Sequence, residues 1–409
     1  MNHPPVAAER QSLVDALRGF ALLGILVVNI AAFASPYYGQ PMPDPMMRSG
    51  LDRVAAFAVA FLFETKFYLL FSFLFGYSFT LQMQSAQRSG KPFVPRLARR
   101  LVALWCIGAL HAVLLFHGDI LTTYAVLGAV LLALRHQSDA VLARWALRLV
   151  LATALVWGAI GVLAMLGGPA TEEVLRIAKA DAASALAAYR GTAATVIRQH
   201  LRELSQVWIV LGLVQAPMAL AMFFAGVIEG RRNLFARADR YRPLFKRLLV
   251  PGLVLGLPGA AVYAWTASVV PGSRWDVLGL AVGVFTSPLL TATYVGAMML
   301  LFQSRWGGWL AGALAPAGRM ALSNYLLQSA VCAWLFLAYG LRLIGEFGPF
   351  VSLMVAFGIF GAQMLISRWW LARFAYGPVE WVLRAFTNLE WPALRRTTRM
   401  PSIHEGGSR

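Results

Sequence analysis

The turn His117-Gly118-Asp119 is where the side-chain types first suggest proton transfer. A histidine beside a carboxylate can act as a general base at neutral pH, because the imidazole takes up the proton while the carboxylate fixes its tautomer. A plainer interpretation makes His117 an ordinary loop residue and Asp119 the cap of the following helix. The spacing leaves both open. His111, in the preceding apolar run, is expected to be a hydrogen-bonded interior residue.

A second charged pair, Glu64 and Lys66, stands between two apolar runs. Residues two apart on a helix do not face the same neighbour, so the two side chains should point in different directions. We expect Glu64 to turn inward as a carboxylate near a reaction centre, at the outer mouth of a polar cavity shared with His117. The alternative is a salt-bridged pair at the membrane interface.

Other polar side chains lie inside apolar runs, where they are unfavourable unless they face the protein interior. Arg18 and Asn29 are about three helical turns apart and so share one face of the first predicted helix. Ser323, Asn324 and Gln328 form a polar stripe on a later helix. Each set is a candidate for binding a ligand. The alternative for Arg18 is a pair with Asp15 at the cytoplasmic boundary, and the alternative for the amides is the joining of neighbouring helices.

The elements that position these residues follow from the composition. Of 409 residues, 59% are hydrophobic and only 13% charged, against about 25% charged in soluble domains. The net charge of +18 comes from arginines placed between apolar runs, and no basic region carries stacking aromatics, which argues against nucleic-acid binding. No residues have metal-ligand spacing, so no metal is expected.

Apolar stretches long enough to cross about 30 Å of hydrocarbon recur along the chain. They predict an all-α fold, a polytopic membrane bundle of about ten transmembrane helices. The predicted spans are Leu13–Ala34, Thr65–Met83, Leu101–Phe116, Ile120–Leu134, Val141–Leu166, Val207–Ile228, Leu248–Ala267, Val277–Phe302, Met320–Tyr339 and Phe350–Trp370.

Lysine and arginine are concentrated in alternate loops, which places both termini in the cytoplasm by the positive-inside rule. The expected location is a bacterial inner membrane. Four regions are predicted: an N-terminal transmembrane half (1–168), an extracytoplasmic helical insert (169–206), a C-terminal transmembrane half (207–375), and a cytoplasmic interfacial helix with a basic tail (376–409).

Several strings of residues resemble the YeiB-like family of bacterial membrane proteins, which have a C-terminal domain of unknown function. The resemblance covers nearly the whole chain. The strings include LRGF at 17–20, HGDIL at 117–121, ALSNYLLQS at 321–329 and GPVEW at 377–381.

The N-terminal half of that family is similar to the transmembrane acyltransferase superfamily, whose members move an acyl group from cytosolic acyl-CoA to a sugar across the membrane. Arg18 and Asn29 match the arginine and asparagine of that superfamily's first helix, and Glu64 falls near an acidic position at the start of its second. The lysosomal heparan-glucosamine enzyme carries its catalytic histidine between these helices, whereas residues 35–54 here contain none.

The resemblance implies acyl-CoA, such as acetyl-CoA, as co-substrate and a sugar or cell-envelope component as acceptor. His117 or Glu64 would then deprotonate the acceptor, and Asn29 or Lys66 would stabilise the oxyanion. The basic loops would attract the CoA phosphates. The alternatives are a transporter for a small metabolite and a non-catalytic binding subunit. The sequence leaves open whether the chain forms a homo-oligomer.

Overall fold

The computed structural model describes residues 6–90 and 92–395. Lys91 and most of the predicted basic tail, 396–409, lie outside the described residues. Within these ranges the chain forms sixteen α-helices and no strand. The helices are α1 (Val6–Ala34), α2 (Gly50–Leu62), α3 (Phe67–Arg88), α4 (Phe93–Leu114), α5 (Leu121–Ala133), α6 (Asp139–Gly167), α7 (Glu172–Arg190), α8 (Ala193–Val210), α9 (Ala216–Arg231), α10 (Arg242–Pro251), α11 (Leu257–Ser268), α12 (Asp276–Phe302), α13 (Gly307–Arg319), α14 (Ala321–Phe336), α15 (Pro349–Arg373) and α16 (Pro378–Asn388).

The chain is a multi-pass membrane protein with an all-helical fold. Two shorter apolar helices, Leu121–Ala133 and Ala321–Phe336, match two of the predicted spans. Over the described residues, eight stretches are long and apolar enough to cross a membrane: Ser12–Ala34, Gly50–Arg88, Phe93–Leu114, Asp139–Gly167, Leu211–Arg231, Arg242–Ser268, Asp276–Phe302 and Pro349–Arg373.

The stretch Gly50–Arg88 is broken in its middle. Helix α2 ends at Leu62 and α3 begins at Phe67, so the predicted start of a helix at Thr65 is too early. Thr65 itself has a φ of +65°, which a β-branched residue rarely adopts and which a helix does not allow. Glu64 and Lys66 lie at this break, so both are in the middle of the apolar stretch Gly50–Arg88.

Helix α13 occupies a segment for which the sequence predicts no element. It packs along α1 through small residues: Gly19 meets the backbone carbonyl of Leu314, and Gly318 meets that of Asp15. Glycines let two helix backbones approach closely in a membrane. The same composition gives α13 no long apolar run, which is why the hydropathy pattern misses it.

Helices α3 and α9 meet in the same way. Gly76 lies against the carbonyl of Phe223, and Gly226 lies against the carbonyl of Phe73. No side chain fits between the two backbones at these points, so the crossing depends on glycine at both positions.

The polar insert folds into a hairpin of α7 and α8 that covers one end of the bundle. Nδ1 of His200 lies 3.0 Å from the carbonyl oxygen of Val113 on α4. Arg190 donates from Nε to the carbonyl of Ile344 at 3.0 Å. The first bond attaches the hairpin to the end of α4, next to the turn that contains His117, and the second attaches it to the segment between α14 and α15.

Candidate functional site

His117 finds its carboxylate partner on the hairpin. Its Nδ1 lies 2.7 Å from Oε2 of Glu203, and the two side chains are 19% and 18% exposed. Glu203 also accepts hydrogen bonds from the Tyr189 hydroxyl and from Nε2 of Gln199 at 2.8 Å. A general-base arrangement is therefore present around His117, with a different carboxylate from the one that the sequence suggested.

The surroundings of Glu203 keep it ionised. Burial alone would raise the pKa of this carboxyl, but hydrogen bonds from His117, Tyr189 and Gln199 and the charge of His117 outweigh burial and lower the pKa below its ordinary value of 4.5. Sequence reasoning missed Glu203 because it is distant along the chain. The available signal was that Gln199 and Glu203 stand at i,i+4 on one face of α8.

A cavity of about 200 Å³ opens beside this pair. It lies between the hairpin and the end of α1 with its following loop, and Tyr38, Arg202 and Glu203 are among its lining residues. Arg202 donates to Asp181 at 2.8 Å within the same wall. Carboxylates, amides, a guanidinium and tyrosines around one cavity are groups that can hydrogen-bond a polar, hydroxyl-bearing molecule.

Glu64 reaches the same region through Tyr38. Its Oε1 accepts from the Tyr38 hydroxyl at 3.1 Å, and its Oε2 accepts from the Tyr263 hydroxyl at 2.7 Å. Because Tyr38 also lines the cavity, one hydroxyl separates Glu64 from the chamber that contains His117.

Lys66 points elsewhere. It is fully buried, its Nζ donates to the Ala60 carbonyl at 2.9 Å, and Nζ lies 5.4 Å from the centroid of the Tyr263 ring. Among the described residues no carboxylate forms an ion pair with it, so the salt-bridged alternative for Glu64 and Lys66 does not occur in this structure.

Asp119 pairs with His111, which corrects the expected pairing with His117. Its Oδ1 lies 2.9 Å from Nδ1 of His111, and its Oδ2 accepts from the backbone N–H of Thr122 at 2.8 Å. On the other side of the ring, Nε2 of His111 lies 2.8 Å from Oγ of Ser329. The turn at Gly118 sends the Asp119 carboxylate back into the bundle, while His117 faces the hairpin.

Arg18 and Asn29 lie at different levels of α1. Arg18 donates to Asp15 and to the Ser78 hydroxyl, each at 2.5 Å. Asn29 is half-buried and lies one helical turn from Ala32, which lines the cavity. Their shared face therefore runs from one end of the bundle toward the other.

Arginines gather around Arg18. Arg100 lies within electrostatic range of both Arg18 and Arg384, and Asp15 lies within range of Arg319. The carboxylates in this group are Asp15 and Glu380. We call the four residues Arg18, Arg100, Arg319 and Arg384 the arginine cluster. Four cations beside two anions leave this end of the bundle positive.

Ser323 belongs to this end, and Asn324 and Gln328 join helices. Ser323 donates to Glu380 at 2.5 Å. Asn324 donates to Ser367 of α15 at 2.9 Å, and Gln328 donates to Gln363 of α15 at 2.8 Å. The two amides thus bond to α15, as the helix-joining alternative expects.

Comparison with known proteins identifies the family of this chain. A family model described as "Protein of unknown function (DUF418)" matches residues 229–390. Uncharacterized protein YxaH of Bacillus subtilis (strain 168) is 32% identical over 412 residues, which cover 97% of this chain and 99% of that protein. Uncharacterized protein YeiB of Escherichia coli (strain K12) is 28% identical over 424 residues, covering 96% of this chain and 100% of that protein. The chain belongs to the YeiB-like family.

Proposed function

We propose that this protein is a membrane acyltransferase that moves an acyl group from cytosolic acyl-CoA to a hydroxyl or amine acceptor on the outer side of a bacterial inner membrane. The observation that carries the proposal is the His117–Glu203 pair on the wall of the cavity. An imidazole oriented by a carboxylate and open to a polar chamber is suited to take the proton of an acceptor hydroxyl.

The proposal includes the ten-helix topology with both termini inside. The loops rich in arginine and lysine then face the cytosol, and so does the arginine cluster around Arg18. Guanidinium groups bind phosphate through paired hydrogen bonds, so this cluster suits the phosphates of CoA. The hairpin of α7 and α8 and its cavity face the outside, where the acceptor would enter.

The role of His117 depends on which of its two ring nitrogens is hydrogen-bonded to Glu203. Nδ1 is paired with Glu203, so Nε2 is left to take the acceptor proton, and the Glu203 carboxylate stabilises the imidazolium that forms. Asn29, one turn from the cavity wall, is the candidate donor to the oxyanion. Glu64 orients the Tyr38 hydroxyl at the cavity.

The test uses purified full-length protein in detergent and radiolabelled acetyl-CoA. We expect saturable binding that weakens when Arg18 is replaced by alanine. His117→Gln and Glu203→Gln should retain binding, because the cavity and the arginine cluster lie at opposite ends of the bundle. With a sugar acceptor such as glucosamine present, both variants should release CoA more slowly at steady state, by about 10²-fold or more for His117.

His136→Gln is the matched control, since His136 is exposed on a loop and should behave as wild type. An absence of acetyl-CoA binding at millimolar concentration would refute the proposal. Unchanged CoA release by His117→Gln would refute the role of His117.

A transporter for a small anionic metabolite is a second candidate, favoured by the break between α2 and α3. Broken helices at a membrane-embedded polar site are typical of secondary transporters, and the buried ammonium of Lys66 lies at this break. Substrate-driven uptake into proteoliposomes, lost in Lys66→Met, would favour transport over acyl transfer.

A further inference from the structure

We infer that Ser329 carries the acyl group as a covalent ester between the donor and acceptor sites, with His111 as its base and Asp119 orienting His111. This inference rests on the proposed acyl transfer and adds a two-step mechanism to it.

The three side chains are arranged as a serine, a histidine and a carboxylate in hydrogen-bond contact. Ser329 comes from α14, His111 from α4, and Asp119 from the turn before α5. Ser329 Oγ lies 2.8 Å from one imidazole nitrogen, and Asp119 Oδ1 lies 2.9 Å from the other. With Nδ1–H donated to the carboxylate, Nε2 accepts the hydroxyl proton of Ser329. This is the arrangement that activates a serine nucleophile.

The carboxylate is itself held in place. The second oxygen of Asp119 accepts from the backbone N–H of Thr122 at 2.8 Å and from its hydroxyl at 2.9 Å. These bonds prevent Asp119 from rotating away, so the His111 ring is fixed in one tautomer and one orientation.

Ser329 also has a suitable position along the bundle. Ser329 is six residues from Ser323 along α14, about 9 Å, and Ser323 bonds to Glu380 at the arginine cluster. At the other end, the Phe116 ring lies 6.4 Å from the ring of His111 and 5.2 Å from that of His117. Ser329 therefore lies between the place suited to CoA and the cavity suited to the acceptor.

The three side chains are buried away from water. His111 and Asp119 are each 2% exposed and Ser329 is 3% exposed. Exclusion of water would protect an ester from hydrolysis while it waits for the acceptor. Phe116 is stacked on Phe33 with centroids 4.5 Å apart and contacts the rings of both His111 and His117, so we expect its ring to move when the acceptor reaches the ester.

In the first step, Oγ of Ser329 attacks the thioester carbonyl while His111 takes the hydroxyl proton. The carbon–sulfur bond breaks, and CoA leaves as the thiolate, which water protonates on the cytosolic side. The products are the Ser329 ester and an imidazolium stabilised by Asp119.

In the second step, the acceptor oxygen attacks the ester carbonyl and gives its proton to His117. The bond between the acyl carbon and Oγ breaks, and His111 returns its proton to Ser329. His117 then releases the acceptor proton to water on the outer side, and both histidines are ready for another cycle.

The experiment incubates the full-length protein with radiolabelled acetyl-CoA without an acceptor, then denatures it and maps the label by peptide mass spectrometry. We expect the acetyl group on Ser329. Labelling should fall by about 10²-fold or more in Ser329→Ala and His111→Asn. His117→Gln should label as the wild type does, because without an acceptor only the first step takes place.

Ser352→Ala is the matched control, because Ser352 is a buried serine whose hydroxyl has no partner among the described residues. It should label as wild type. Ser329→Thr keeps the hydroxyl and tests whether a loss in Ser329→Ala reflects misfolding. The position of the label in the wild-type protein is determined directly, so this result does not depend on whether any variant folds.

Two failures are distinguishable. Binding of acetyl-CoA and turnover without any label on Ser329, together with wild-type turnover by Ser329→Ala, would overturn the covalent carrier and leave direct transfer standing. Absence of acetyl-CoA binding would overturn the acyl transfer on which the inference rests.

Discussion

Acidification should destabilise the protein through His200, which attaches the α7–α8 hairpin to α4. Burial lowers the pKa of His200 to about 4 from its ordinary value of 6.5; the bond to the Val113 carbonyl and the charge of Glu203 act in the opposite direction, and the charge of His117 lowers the pKa further. Between these two pH values the unfolded chain binds a proton that the folded protein does not.

The sign and the size follow from this difference. The contribution of His200 to stability is complete above pH 6.5 and falls as the pH is lowered toward 4. At 1.36 kcal/mol per pH unit, the loss is about 1.4 kcal/mol at pH 5.5 and about 3 kcal/mol near pH 4. Glu203 does not contribute between pH 7.5 and pH 5.5, because its lowered pKa affects stability only below its ordinary value of 4.5.

The assay compares thermal unfolding midpoints at pH 7.5 and pH 5.5, followed by intrinsic fluorescence in detergent. His200→Gln can still donate a hydrogen bond to the Val113 carbonyl but cannot titrate, so its midpoint should fall less than that of the wild type. His136→Gln, changed at an exposed histidine, should follow the wild type. If His200→Gln loses as much stability on acidification as the wild type, His200 is not the group that titrates.

Three further changes test other parts of the structure. Gly226→Ala should lower stability by about 1–3 kcal/mol, because the added methyl would meet the carbonyl of Phe73, whereas Gly358→Ala, which meets nothing within 4 Å, should not; thermal midpoints check both. Lys66→Met should keep or raise the thermal midpoint, because it removes a buried ammonium that has no ion-pair partner among the described residues, and a clear fall would contradict this. Glu380→Gln should cost about 1 kcal/mol and expose α16 to limited proteolysis, because Glu380 accepts from backbone N–H groups at the start of α14; unchanged cleavage would contradict this.

Hydropathy predicts most of the helices because a long apolar segment is stable in the hydrocarbon core of the bilayer and not in water. It does not predict where a run is interrupted. The end of α2 and the positive φ of Thr65 are set by tertiary contacts, among them the bond between the Thr65 and Ser287 hydroxyls at 2.5 Å. Hydropathy also does not predict helix α13, because its small residues pack closely against α1 but give the segment a low mean hydropathy.

The candidate site was only partly predictable. The residue types of the turn at His117 and Asp119 indicate acid–base chemistry, but the pairing of each depends on which elements the fold brings near. Glu203 reaches His117 from the hairpin, and Ser329 reaches His111 across 218 positions of sequence. No spacing rule connects residues so far apart.

The bond between Ser323 and Glu380 links α14 to α16, a helix that leaves Val382 and Phe386 exposed. If α16 rests on the lipid headgroups, as its apolar side chains suggest, it transmits changes in the bilayer surface to the base of the helix that bears Ser329. A change in bilayer charge or thickness would then reach the start of α14 through the bond between Ser323 and Glu380.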